Sequence, residues 1–110
     1  MPNKEHCIVF CTLPDAESAE RLAGALVERG LAACVNIVPG LTSVYRWKGR
    51  IERDSEVLAI IKTRSDALPR LKEAIPALHP YELPEIVAVP ITDGLPAYLA
   101  WIDDNLKGTS

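Results

Sequence analysis

Two spacings of apolar residues alternate along the chain. Residues 7–12 form a continuous apolar run rich in β-forming side chains, closed by Leu13-Pro14-Asp15, and predict a first strand. Ala19, Leu22, Ala23, Leu26 and Val27 then recur at helical spacing, with Glu17, Glu20, Arg21 and Glu28 on the other side. Asp15 can cap that helix and Gly30 supplies its stop. Residues 33–38 predict a second strand ended by Pro39-Gly40, and residues 43–47 a third, ended by a Lys48-Gly49 turn; residues 57–63 continue the hairpin. Asp66 is the expected cap of a second helix, with Pro69 in its first turn and Leu68, Leu71, Ile75 and Leu78 as its buried stripe. Pro76 falls inside that stripe, so the last turn before His79 is expected to be kinked or separate. Residues 86–91 predict another strand, and Asp93-Gly94 leads into a third helix with Tyr98, Leu99, Ile102 and Leu106 on one side.

This order is α+β: a ferredoxin-like, split βαβ antiparallel sheet with helices on one face. The segments CIVFC, VLAII and IVAV are apolar at both parities, whereas a sheet with one wet face alternates apolar with polar. At about 25 cal/mol per Å², a few hundred Å² of bare sheet would forfeit several kcal/mol, comparable to the whole stability of a small domain. Self-association through the bare face is the economical answer.

A chain of 110 residues has room for one domain, taken as 1–110 with its core at about 6–106. Its 48% apolar and 25% charged residues place it among globular chains. A net charge of -3 with scattered Lys and Arg gives no general attraction to phosphate, so nucleic acid is not expected as a partner. The apolar run at 7–13 is too short to span a membrane and lacks a small-residue cleavage pattern. The odd set Cys7, Cys11 and Cys34, without a CxxC pair, fits reduced thiols in a cytoplasm.

No phosphate loop, HExxH or GxSxG spacing occurs, which argues against an enzyme. What remains is a set of polar and aromatic residues at strand ends: Asn36, Ser43, Tyr45, Trp47, Glu56, Lys62 and Thr63, then His79, Tyr81 and Glu85 in HPYELPEI. His79 precedes Pro80 and is held extended; its imidazole is either a ligand for a borderline metal or a hydrogen-bonded group where loop meets core. Cys11 offers a thiolate suited to soft metals or is a small buried apolar residue. Cys7 and Cys11 lie about 13 Å apart along a strand, too far to clasp one ion. Lys62 closes an apolar strand and needs water or a carboxylate such as Glu56 or Glu85. Tyr45 and Trp47 share one side of their strand, where they line a pocket or fill a subunit interface.

The motifs FCTLPD, LAACVNIVPG, TSVYRWKG, EVLAIIKT, HPYELPEI and YLAWI resemble, in order and spacing, those of the CutA divalent-ion-tolerance family over about residues 7–106. The resemblance implies a ferredoxin-like subunit shaped like PII signalling proteins, assembled as a homotrimer, and a link to tolerance of copper and other divalent cations. It also implies, as copper ligands, the cysteine of the first motif and two histidines before Pro-Tyr. Those positions hold Cys11, Leu78 and His79 here, so one donor is absent.

The expected function is therefore a metal-binding tolerance trimer using Cys11 and His79. The alternatives are a PII-like binding or signalling trimer whose intersubunit clefts take a small anion or metabolite through Lys62, Tyr45, Trp47 and Glu85, and a structural scaffold trimer. An RNA-binding module is disfavoured, because the acidic balance and lone Phe10 supply no basic aromatic platform.

Overall fold

Proline and a capping aspartate end the first strand and start the first helix, as their chemistry requires. The structure is a computed structural model that describes residues 5–107; residues 1–4 and 108–110 of the expected domain lie outside the described residues. In β1 (His6–Leu13) the odd-numbered Cys7, Val9, Cys11 and Leu13 are buried and the residues between them half-buried. Asp15 accepts a 2.8 Å hydrogen bond from the Ser18 amide at the start of α1 (Ala16–Glu28). Gly30 follows at φ +69°, and a Cβ there would collide with the backbone of Lys107, whose amide donates to the Gly30 carbonyl at 2.9 Å.

The two strands expected on either side of Pro39-Gly40 are one. β2 runs from Cys34 to Trp47, and the register steps from Val38 opposite Leu58 to Leu41 opposite Glu56. β2 thus uses one residue more than its partner, a bulge beyond which the facing of every side chain inverts. Lys48 and Gly49, both at positive φ, make the two-residue turn into β3 (Arg50–Arg64).

The second helix also departs from expectation. Ser65–Ala67 is a 3-10 turn, and α2 (Leu68–Leu78) follows with Pro69 in its first turn and no side-chain cap. Asp66 is engaged elsewhere, gripping the Arg64 guanidinium by both carboxylate oxygens at 3.0 Å. α2 continues through Pro76 to Leu78 as one element, and the His79 amide still reaches the Ile75 carbonyl at 2.9 Å. Only the Pro76 amide is lost from the ladder, so the helix does not end there.

β4 is shorter than expected, Val87–Pro90, and pairs antiparallel with β1. The antiparallel sheet has the order β2-β3-β1-β4, with β3 inserted between β1 and β2 as the split βαβ arrangement demands. One face packs Val9, Cys11 and Ile61 against Leu22 and Leu26 of α1 and Leu71 and Ile75 of α2. The other carries half-buried Ile8, Phe10, Leu58 and Ile60, flanked by Val38, Val87 and Val89 at 43%, 51% and 41% exposure. α3 (Pro96–Asp104) reaches only the end of that face, through Tyr98 on Lys62 and Asp103 on His6 and Arg64.

Candidate functional site

The bulge in β2 decides where the site lies. Beyond it Ser43 stands opposite Asp54 and Tyr45 opposite Glu52, so Tyr45 and Trp47 share a side with the even-numbered carboxylates of β3. There they meet Thr12 of β1 and the segment after α2 in a cleft of about 590 Å³, lined by Ser43, Tyr45, Trp47, Glu56, Tyr81 and Glu85 together with Thr12, Val44, Glu82 and Leu83. Six of the residues singled out in the sequence are thus brought together.

Glu56 is only 7% exposed, and its Oε2 accepts a 2.6 Å hydrogen bond from the Tyr81 hydroxyl. Burial, then that bond and the Glu56 charge, push the Tyr81 phenol well above its ordinary range. The Tyr45 hydroxyl donates to Asp54, and that bond, with desolvation and the charges of Asp54, Glu52 and Glu56, raises its pKa to about 12. Both phenols therefore stay protonated as donors near neutral pH. No Lys or Arg lines the cleft, so its field is negative.

His79 stands behind this cleft. It is extended, with φ -92° and ψ 139°, as the residue before a proline must be. Its ring is engaged on both sides, Nε2 donating to the Thr12 carbonyl at 2.7 Å and Nδ1 accepting from the Tyr81 amide at 3.0 Å. The Cys11 thiol points to the same Thr12 carbonyl at 3.9 Å. Burial first, then the charges of Glu85 and Glu56, raises that thiol to about 12, so it is neutral rather than thiolate at pH 7.

Lys62 and Asn36 do not join the cleft. The Lys62 ammonium lies 3.5 Å from the Tyr98 hydroxyl and 5.6 Å from that ring's centroid, rather than beside Glu56 or Glu85. Asn36 faces Ile60 across the sheet, with its Oδ1 3.8 Å from the Cys34 sulfur.

The family pattern of the CutA1 divalent ion tolerance proteins matches residues 7–105. The chain belongs to that family. A divalent-cation tolerance protein CutA from Thermus thermophilus is 55% identical over 98 residues, 89% of this chain and 95% of that one. The mouse protein CutA is 50% identical over 101 residues; they span 92% of this chain but only 57% of the mouse protein. Among solved structures, the Thermus thermophilus tolerance protein superposes with a TM-score of 0.90 at 53% identity, covering 92% of this chain and 98% of that one. CutA1 from Oryza sativa gives 0.93 at 43% identity, over 97% and 98%.

A CutA1-family chain invites a test of its metal donors. Within the single chain Cys11 and His79 are close, both touching one carbonyl, but the thiol holds its proton and the imidazole has no free lone pair. Leu78 offers only carbon, and among the described residues no three His, Cys, Asp or Glu side chains converge to hold an ion. As they stand, these residues do not fit a bound metal. What the CutA1-family chain does present, and sequence reading missed, is Glu52 and Asp54, which continue from Glu56 at alternate positions of β3, together with Glu82. Period-two spacing of three carboxylates at a strand's outer end was the available signal.

Proposed function

We propose that this chain is a non-catalytic, self-associating binding protein of the divalent-cation tolerance type, and that its ligand site is the Glu56 cleft, which takes a cation. The single observation that carries the reading is a concave lining with Glu56, Glu82 and Glu85 and no basic side chain. The carboxylate row of β3 extends the same field to the rim. A small anion is the weaker alternative, because Lys62, its expected partner, stands six residues along β3 from Glu56, about 20 Å.

Divalent ions, copper included, enter this reading as cargo attracted by carboxylates and completed by water or a neighbouring copy. Assembly as a homotrimer is supported by the bare apolar face of the sheet, and a reducing cytoplasm by the unpaired thiols of Cys7, Cys11 and Cys34. Competition between the reduced protein and a chelator of known strength, titrated with Cu²⁺ and Mn²⁺, tests the cation reading. Glu56→Gln combined with Glu85→Gln should weaken binding at least tenfold with the assembly intact. Unchanged affinity in that double variant would move the cation site out of the cleft.

A further inference from the structure

The cleft is larger and more aromatic than a metal ion needs. A hydrated divalent ion requires several oxygens on one point, and no three acidic, His or Cys side chains of the described residues provide it. A cavity of about 590 Å³ lies instead in the range that encloses a small organic molecule. Its walls combine the rings of Tyr45, Trp47 and Tyr81 with separated carboxylates, a pairing suited to an apolar body carrying a positive nitrogen.

Glu56 gives this pairing its direction. As a residue it is more than nine-tenths buried in the cleft wall, and only its Oε2 is bonded within the chain; among the described residues nothing donates to Oε1. Oε1 is not a buried orphan, since among the described residues only Arg70 Nη2 is buried without a partner; it opens to the cleft as an acceptor that a ligand N–H can reach. The Tyr81 hydroxyl cannot turn to a second acceptor without releasing Oε2, so it locks the carboxylate in place. Glu85 faces the same space and is exposed, free to meet a second N–H.

From this we infer that the cleft is built for a small organic ammonium ion with an aromatic or apolar body, its nitrogen on Glu56 Oε1 and its body against Tyr45, Trp47 and Tyr81. The inference rests on the cleft being the cation site and names the chemical class that occupies it. Cations of this class come in through one N–H on Glu56 and, where a second is present, one on Glu85. A bare metal ion can use neither the rings nor the volume.

The test is calorimetric titration of the assembled full chain with phenethylamine, and with phenethyl alcohol as the neutral probe of nearly the same shape. The amine should bind at least tenfold more tightly than the alcohol. Glu56→Gln should lose at least tenfold of amine affinity, and Glu85→Gln, at an exposed position that does not threaten folding, should lose a smaller factor, leaving the alcohol unaffected. Equal binding of amine and alcohol, or an amine affinity untouched by both variants, overturns the inference. Copper binding that the double variant weakens, without any amine binding, overturns the ammonium assignment and leaves the cation reading standing. Amine binding without copper binding supports the assignment and removes metal from the proposed function. Absence of both removes the cleft as a site.

Discussion

His79 and Cys11 converge on one backbone oxygen, the carbonyl of Thr12, with His79 Nε2 at 2.7 Å and Cys11 Sγ at 3.9 Å. The two residues that look most like soft-metal donors thus already share an acceptor inside the chain. His79 fixes the segment after α2 against β1, and through the Tyr81 amide it sets where Tyr81 meets Glu56.

His79→Ala should therefore act first on stability. It removes hydrogen bonds at both ring nitrogens from a site 8% exposed, and should cost about 2–4 kcal/mol. Guanidinium denaturation at fixed protein concentration measures it. A variant as stable as the parent but weakened in copper binding would show that the ring's main role is ligation.

Stability should fall on the alkaline side from about pH 9. Burial, with lesser contributions from neighbouring carboxylates, raises Cys7 from 9.0 to about 11 and Cys11 from 9.0 to about 12. Between the two values the unfolded chain has released each proton and the folded chain has not, so raising the pH favours unfolding. The stability these thiols confer is complete below pH 9 and is lost as pH climbs through the folded values. By pH 11 each should account for about 2 kcal/mol. Chemical denaturation at pH 8, 9, 10 and 11 should show the decline, flattened between pH 9 and 10 in a Cys7→Ala, Cys11→Ala double variant; above pH 10 the raised Tyr45 and Tyr81 phenols add a loss of the same sign in both chains. A parallel decline in that variant would place the proton release elsewhere.

Ile60→Lys should break the assembly. Ile60 pairs with Phe10 and Asn36 on the face that α1 and α2 leave uncovered, so a charge there does little to the chain's own core but is desolvated when copies pack on that face. The expected cost is several kcal/mol, read in sedimentation as dissociation of a trimer to monomers. A parent chain that sediments as a monomer, or an Ile60→Lys trimer with unchanged melting, would refute association through this face.

Most of the elements were legible in the sequence because their causes are local. The run CIVFC with Pro14 and Asp15 behind it dictates a strand, a stop and a cap within ten residues, and all are found. Apolar residues at both parities likewise announced a sheet whose second face the chain's helices leave largely bare, since that pattern depends only on side-chain hydropathy. What the sequence could not decide depends on partners distant along the chain. Asp66 reads as a cap until Arg64 takes both its oxygens; turned onto that guanidinium, it leaves α2 without a side-chain cap. Pro39-Gly40 reads as a break until β3 pairs past it on both sides; only that pairing turns the break into a bulge, inverts the strand, and brings Tyr45 and Trp47 round to Glu56. Six of the cleft residues were evident from their chemistry, but which of them meet within one chain, and that Lys62 lies away from them there, follows from strand register, a property of pairs of segments and not of either alone.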